Sequence, residues 1–440
     1  MILDGITQST DFTINQLQLI TKVGTIDLRN LYEELNIFDG IFVPSRSGNI
    51  MIRDATGMIE NLLLNGGEFI KINIGKTKEL WVLNKTFRIY KMTNRTKVNE
   101  TSETYILHFV SDEYVFSEQQ KINQACKGTY TQIAIDAFSQ YLNVTSKQLG
   151  LIDESIGQKE FIMPNLSPFD AINYCAKRSV NSDGSPNFLF FENMNGYNFC
   201  SLSTIVIQKP NFNLNFDVKN VGEGLDVDIF GVRKYEVLSQ FDYIKNTQSG
   251  VYSGKFIGFD PLTRKIVVSE RSFLNQYSST DHSNPNPIFA ADKNKGGKFN
   301  FEMFDSRVVF YTFSEAAKYS NYIKEKDPYL LNKLEDTHNF VFQRKAILEG
   351  FVNKTVRLLL PGNFFLTSGT NVSLKMPTRS LRNDQKDNED STLKGIYTII
   401  ATRHILKNNI HETVIDVATD STESVFAPQS TNPKYTGGLE

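Results

Sequence analysis

Histidine is the side chain most often used for acid–base chemistry and metal binding near neutral pH, and this chain has five. They are His108, His282, His338, His404 and His411. The pair His411-Glu412 begins like the HExxH motif of zinc enzymes, but the fifth position is Ile415 and the surrounding sequence reads as a strand. The sequence therefore predicts a β-hairpin turning at residues 407–409, with His404 and His411 on its two arms, and no zinc helix.

Carboxylates that face each other across a cleft would indicate a glycosidase or a muramidase. The clustered acids are Asp153 and Glu154, Asp226 and Asp228, and Glu389 and Asp390. Asp226 and Asp228 alternate with apolar residues, which is typical of the solvated face of a strand. Asp54 and Asp260 stand where turns are expected and suit turn hydrogen bonding. For none of these acids does the sequence identify a partner acid across a cleft.

The glycine pair Gly66-Gly67 is the remaining feature that could bind a ligand. A phosphate cradle needs glycines that lead into the free amides of a helix N-terminus. Here Glu68 and a strand follow the pair, so the sequence predicts a corner of a small β-barrel. Neither a GxSxG elbow nor a P-loop motif occurs. We therefore predict no catalytic, cofactor-binding or metal-binding residue, and we expect the protein not to be an enzyme.

The bulk composition favours a β-rich protein with large contact surfaces. The 440 residues have a formal net charge of -2 and a pI near 6.3, so nothing in the overall charge indicates nucleic-acid binding. Phe and Tyr number 33 and 18 against one Trp, and both favour strands. The three cysteines are far apart, which predicts reduced thiols rather than disulfides or zinc. The N-terminus does not read as a signal peptide, and no apolar run is long enough to span a bilayer.

Alternation of apolar residues predicts about six strands between residues 17 and 117, with one short helix at 55–64. Residues 117–143 read as helix, because apolar residues recur at three- and four-residue spacing. A second helix starts at Ser167, which suits an N-cap, followed by Pro168 and Asp170. Asn195-Gly196 then predicts the turn of a hairpin that joins NFLFFE to YNFCSL.

Strand character returns at 225–260, and 274–303 reads as an exposed polar loop. Helices are expected from Ser314 and from Pro328, and the last structured part, up to about residue 420, reads as strands. The charged insert 379–392 is expected to face solvent. Two β-rich parts thus flank a mixed middle, and a loose common pattern in them suggests a duplication.

Several stretches together resemble the central baseplate hub protein of contractile-tailed bacteriophages, whose fold is shared with the N-terminal part of type VI secretion spike proteins. They are FDG with GNIMIRDATGMIENLLLNGGEFIKINI, NFLFFENMNGYNFCSL, FDYIKNTQSGVYSGKFIGFDPLTRKI, and PGNFFLTSGTNVSLKMP with GIYTIIATRHIL and ETVIDVAT. The resemblance covers most of residues 17–422 and rests on the pattern and order of these stretches.

The resemblance implies an α+β, β-rich multidomain protein with two tail-tube-like β-barrel domains plus α+β and helical insert domains. The expected segments are 1–117 (first barrel), 118–212 (α+β), 213–258 (early second barrel), 259–339 (loop and helical insert), 340–422 (rest of the second barrel) and 423–440 (flexible tail). Such hubs are trimers, and two barrels per subunit make a pseudo-six-fold ring.

The partners implied are a tail tube protein above, a spike protein below and surrounding baseplate wedge proteins. DNA would only pass through the lumen, no membrane is involved, and the protein would belong to the virion after assembly in the host cytoplasm. The sequence carries no spike or lysozyme-like domain, so we expect these on separate chains. Three alternatives stay open: the hub of a non-viral contractile injection system, a tail-associated cell-wall hydrolase, and a receptor-binding tail protein.

Overall fold

The computed structural model describes residues 12–75, 81–216, 231–261, 264–273, 277, 280–288, 304–312, 339–377 and 389–424. These residues form a 14-stranded sheet, four smaller sheets and several helices. The prediction of an α+β, β-rich multidomain fold is confirmed. The expected helices between 314 and 338, the acids Asp226 and Asp228, and most of the charged insert lie outside the described residues.

The first part of the chain is a run of strands with one short helix, as predicted. The elements are β1 (Thr13–Ile20), β2 (Thr25–Asp27), β3 (Tyr32–Gly40), β4 (Ser47–Asp54), α1 (Met58–Leu62), β5 (Phe69–Gly75), β6 (Trp81–Lys97) and β7 (Glu103–Ser111). Alternate residues such as Ile70, Ile72 and Ile74 are fully buried. This period-two burial is what the sequence alternation predicted.

The middle part mixes helices and small sheets. It contains α2 (Asp112–Glu118), β8 (Ala125–Gly128), α3 (Tyr130–Tyr141), β9 (Leu149–Ile152), β10 (Lys159–Ile162), α4 (Pro168–Arg178), β11 (Phe188–Asn193), β12 (Gly196–Ser201) and α5 (Leu202–Val206). The prediction of helix throughout 117–143 is wrong for its first half. Residues 125–128 pair with β10, and the helix begins only at Thr129, whose side chain forms a reciprocal capping box with Gln132.

Two local predictions in the middle part are confirmed. The Ser167 hydroxyl accepts from the Asp170 amide at 3.3 Å and caps α4, with Pro168 in its first turn. The apolar face of α4, which includes Phe169, Ile172 and Cys175, is buried. The hairpin of β11 and β12 turns where Asn193 pairs with Gly196.

The last part returns to strands. Its elements are β13 (Phe212–Phe216), β14 (Gly231–Val232), β15 (Lys234–Ser239), α6 (Tyr243–Ser249), β16 (Ser253–Asp260), β17 (Lys265–Ser272), β18 (Asn286–Pro287), β19 (Arg307–Thr312), α7 (Arg344–Phe351), β20 (Lys354–Pro361), β21 (Asn371–Lys375), β22 (Gly395–Lys407), β23 (Ile410–Thr419) and β24 (Ser421–Thr422). A π-helical turn, Asn339–Gln343, precedes α7.

Two expectations for this part need correction. Residues 243–249 are a helix inside the stretch predicted as strand, because Asp242 caps it and Gly250, at φ +76°, ends it. The loop expected to be exposed at 274–303 contains the buried Ser283 and Asn284. The Asn284 amide donates to the Ile396 carbonyl at 2.9 Å, which fixes the segment to β22. The strand β16 pairs with β17 and β19 in a sheet of its own.

The large sheet contains the same five-stranded unit twice. In the first repeat the strands pair in the order β3-β4-β7-β6-β5, and in the second in the order β15-β20-β23-β22-β21. All eight pairings are antiparallel. The suspected duplication is therefore visible as a repeat of topology. A sixth strand flanks each unit, but β1 is antiparallel to β5 whereas β13 is parallel to β21.

Neither repeat closes into a barrel within the described residues. The second comes near to closure, since β14 pairs with β13 while β15, one residue later, pairs with β20. Each repeat has its own apolar core, one built around Ile50, Ile72 and Phe109 and the other around Leu358, Val372 and Val417. A third core belongs to the middle part. The boundaries of the six segments given above remain a prediction.

Candidate functional site: the repeat junction and two open strand edges

The two repeats are joined by backbone pairing between β22 and β3. One edge of β22 follows β23 along its length, while its other edge pairs first with β21 and then with β3. The junction contains seven antiparallel residue pairs, from Ala401 opposite Gly40 to Lys407 opposite Glu34. The Ile41 amide extends it by donating to the Ile400 carbonyl at 3.0 Å. A single sheet therefore runs across both repeats.

Charged side chains contribute little to this junction. Glu34 lies 3.2 Å from Lys407 Nζ and 3.5 Å from Arg403, at the surface. The hydrogen bond from Asn36 lowers the pKa of Glu34, with a smaller contribution from Lys407. Exposed ion pairs are typically worth at most about 1 kcal/mol. The junction is thus held by its ladder of backbone hydrogen bonds and by the burial of Leu35, Ile37 and Leu406 in one apolar core.

His404 and His411 lie on the two arms of the β22–β23 hairpin, as predicted, and both are buried. Their Nδ1 and Nε2 atoms are 3.2 Å apart, and the Phe364 ring stacks on His411 with centroids 4.1 Å apart. Burial lowers the pKa of both imidazoles, that of His411 to about 3. No cluster of three or more metal-ligating side chains occurs in the described part of the chain. The pair is a neutral part of the core.

β6 and β15 occupy the positions in their repeats that β22 and β3 occupy in the junction, and each of them has an open edge. One edge of β6 pairs with β5, but only as far as Arg88. Beyond that point, residues 91–97 pair with β7 on one side, and no strand of the described residues pairs with them on the other. β15 likewise pairs with β20 alone within the described ranges. Tyr90 and Met92 are 54% and 37% exposed on the first edge, and Val237 and Leu238 are 36% and 42% exposed on the second. Open edges of this kind are templates for pairing with another chain.

An apolar groove of about 1050 Å³ lies beside the junction. Its lining includes Phe42, Val43 and Tyr114 with the bulged residue Ile400 and the exposed Tyr90. Phe42 and Val43 are 49% and 48% exposed. The groove connects the end of β3 in the first repeat with β22 of the second.

A buried ionic cluster fastens the β11–β12 hairpin to the first repeat. The Glu192 carboxylate, 1% exposed, accepts from Arg46 Nε at 3.1 Å, from the Ser111 hydroxyl at 2.6 Å and from Lys85 Nζ. Burial alone would raise the pKa of Glu192, but the charges of Lys85 and Arg46 outweigh it and hold the pKa at about 2. Glu192 is therefore ionised, and its charge orients the middle part on the first repeat.

The Gly66-Gly67 corner is not an anion site. Both glycines have positive φ, +95° and +91°, which only glycine adopts easily. The amides of Asn65 and Gly66 donate to the Glu68 carboxylate at 3.0 and 3.1 Å. The side chain of Glu68 thus occupies the position that a phosphate would need. The glycines turn the chain into β5, but the small β-barrel expected around this corner is not closed within the described residues.

Four of the acids singled out from the sequence have structural partners. Asp153 accepts from the Ser201 amide and the Thr204 hydroxyl, at 2.8 and 2.5 Å. Asp54 accepts from the amides of Thr56 and Met58, both at 2.7 Å, as expected for turn hydrogen bonding. Glu389 lies 2.7 Å from Lys394. Asp390 accepts from the Thr392 amide at 2.8 Å.

Sequence reasoning missed one arrangement, an Asp–His–Thr row at a cavity of about 360 Å³. His282 lies 2.6 Å from Asp420 through Nδ1 and 2.8 Å from the Thr280 hydroxyl through Nε2. The same Nε2 lies 3.1 Å from the Tyr277 carbonyl, which can only accept. The row ties Asp420, between β23 and β24, to Thr280 and His282. Its members are far apart in sequence, and no motif announces them.

No family model matches the chain, and no curated protein matches it by sequence. Solved structures do match it. A tail protein from Neisseria meningitidis MC58 superposes with a TM-score of 0.52 at 12% identity, over 92% of this chain and 96% of that one. The 43 kDa tail protein of prophage MuSo2 from Shewanella oneidensis gives 0.51 at 9% identity, over 92% and 98%. This chain shares the fold of these two tail proteins. A type VI secretion component of E. coli gives only 0.42 at 8% identity, over 95% of this chain and 79% of that one.

The tail-protein fold accounts for the stretches that carried the resemblance in the sequence. They form β3, β4, α1 and β5, the β11–β12 hairpin, α6 with β16, and the β21–β23 strands. Most of these strands belong to the two repeats or to the hairpin that the Glu192 cluster fixes, whereas α6 and β16 lie outside both repeats. No helix in the described residues has the length and apolar content needed to span a membrane. The three cysteines are buried and unbridged.

Proposed function

We propose that the chain is a structural virion protein, the central hub of a phage tail baseplate. It forms a homotrimeric ring of pseudo-six-fold symmetry that joins the tail tube above to a trimeric spike below. Wedge proteins of the baseplate surround it, and DNA passes through its channel without being bound. It has no catalytic activity.

The observation that carries this proposal is the duplicated five-stranded unit and the junction between its copies. Each chain supplies two similar units in tandem, so three chains supply six. A ring of six similar units can match a six-fold tube on one face, while its true three-fold symmetry matches a trimeric spike on the other. The two tail proteins of the same fold support a place in a tail.

The side-chain chemistry supports a structural role. Among the acids described above, Asp153 and Asp54 accept hydrogen bonds from nearby backbone amides. Exposed apolar residues include Met92 and Val237 on the open strand edges and Phe42 beside the groove. Surfaces of this kind suit contacts between proteins.

Light scattering combined with negative-stain imaging tests the proposal. We expect a mass of about three times 50.1 kDa and a ring with a central hole. The ring should bind the tail tube and spike proteins encoded beside it. A chain that remains monomeric with both partners present would refute the hub. Degradation of purified peptidoglycan, lost on substitution of one carboxylate, would establish the hydrolase instead.

A further inference from the structure

The two repeats can be aligned residue by residue through their pairing. β6 carries a bulge at Tyr90 between its pairs to β7, and β22 carries one at Ile400 between its pairs to β23. When the two bulges are aligned, Ile89 corresponds to Ile399 and Met92 corresponds to Thr402. The alignment continues across the sheet, because β7 then matches β23 and β4 matches β20. The last pairings match β3 with β15, so that Ile37 corresponds to Val237.

Equivalent positions differ in burial according to whether a junction is present. Ile37 and Thr402 lie in the β22–β3 junction and are 0% and 3% exposed. Their counterparts on the open edges, Val237 and Met92, are 36% and 37% exposed. The open edges of β6 and β15 are therefore the equivalents of the two strands that form the β22–β3 junction.

Each open edge also contains one extra residue compared with the junction strands. β6 has two residues, Asn94 and Arg95, between its pairs to Ile106 and Thr104, where β22 has only His404. β15 has the extra residue Leu238 between its pairs to β20, where β3 has none. If β6 and β15 paired in the same register as β22 and β3, the extra residue of β6 would lie opposite the extra residue of β15. By residue count these two extra residues cancel each other, so residues 92–96 of β6 can each face one residue of 236–240 in β15.

We propose that β6 pairs with β15 of a second copy of this chain, and that this pairing repeats the junction between copies. Met92 lies opposite Gln240, Thr93 opposite Ser239 and Thr96 opposite Glu236 of the neighbouring copy. The contact is head to tail, since each chain offers one edge of each kind. Three such contacts close the ring, so the inference rests on the proposed function and specifies how the ring is held together.

Cysteine cross-linking tests the register. Directly paired residues have Cα atoms about 4.5–5.5 Å apart, within the range that a disulfide bridges. The matched variants are Met92→Cys with Gln240→Cys, and Thr96→Cys with Glu236→Cys. The crossed variants, Met92→Cys with Glu236→Cys and Thr96→Cys with Gln240→Cys, use the same positions four residues out of register, about 13 Å along the strand. All four positions are exposed, and the native cysteines are buried.

We expect the matched pairs to form intermolecular disulfides at least about tenfold faster than the crossed pairs, with covalent trimers as the end product. If light scattering shows trimers but matched and crossed pairs react alike, the edge pairing is wrong and the hub proposal survives. If the matched pairs cross-link but the ring binds neither tube nor spike, the pairing stands and the hub proposal fails. Protein that stays monomeric and uncross-linked refutes the pairing.

Discussion

Substitution of Glu192 by glutamine should change both the stability of the protein and its response to acid. Glu192 is 1% exposed and holds the nearly buried Arg46 and Lys85. A neutral amide would remove the carboxylate that pairs with Arg46, while Lys85 would keep Glu113, whose Oε2 lies 3.3 Å from its Nζ. Breaking a buried ion pair from one side typically costs about 3–5 kcal/mol. We expect a loss of this order in the free energy of unfolding at neutral pH.

The pH dependence gives a second and independent magnitude. The pKa of Glu192 is lowered from its ordinary value of 4.5 to about 2, because the attraction of Lys85 and Arg46 outweighs the cost of burial. An acid whose pKa is lower in the folded state stabilises the protein above its unfolded pKa, and this stability is lost as the pH falls towards the folded pKa. At about 1.4 kcal/mol for each pH unit, the loss amounts to roughly 3 kcal/mol between about pH 5 and pH 2.

Urea unfolding followed by circular dichroism, repeated from neutral pH to about pH 2, measures both effects. The native protein should lose roughly 3 kcal/mol more than Glu192→Gln across the acid range. Asp416→Asn is a suitable control, because Asp416 pairs with Arg357 at the surface and should cost at most about 1 kcal/mol. Parallel acid profiles for the native protein and Glu192→Gln would show that Glu192 is not the ionised centre of the cluster.

Three further predictions concern local structure. Ser167→Ala should cost about 1 kcal/mol of stability in urea unfolding, since the cap of α4 is lost, and an unchanged midpoint would contradict this. His404 and His411 should remain neutral at pH 5, since burial lowers both pKa values, and an NMR titration showing protonation near pH 6 would refute their burial. Gly369→Ala should destabilise by at least about 1 kcal/mol, since φ is +79° and the new methyl would lie 2.7 Å from the Phe191 ring; a melting temperature equal to that of the native protein would count against it.

Local signals in the sequence predicted the local structure well. The Ser167 cap and the Asn195-Gly196 turn act within a few residues, so their physical causes are visible in a short window. The prediction from short stretches was wrong where strand-favouring side chains and helix-capping residues occur together. Residues 243–249 contain strand-favouring side chains, but the cap at Asp242 and the left-handed Gly250 decide for helix.

The candidate site could be predicted only in outline. The strands of the junction, β3 and β22, are separated by about 350 residues, and their pairing leaves no trace in either strand alone. The fold resemblance indicated two similar units, but not which edges they share. The bulges at Tyr90 and Ile400 that align the repeats arise from pairing and are invisible in the alternation of apolar residues. His282 and Asp420 likewise meet only in the folded chain.

A junction made by backbone amides and carbonyls places few demands on side-chain identity, because every residue except proline offers the same donor and acceptor. Sequences can then drift far while the joint persists, which agrees with a common fold at 9–12% identity. What selection must conserve is the count of residues along each strand. In the proposed ladder, an insertion in β6 is tolerated because β15 gained one at the facing position. Paired changes in length, rather than paired substitutions, are the covariation to seek among relatives of this protein.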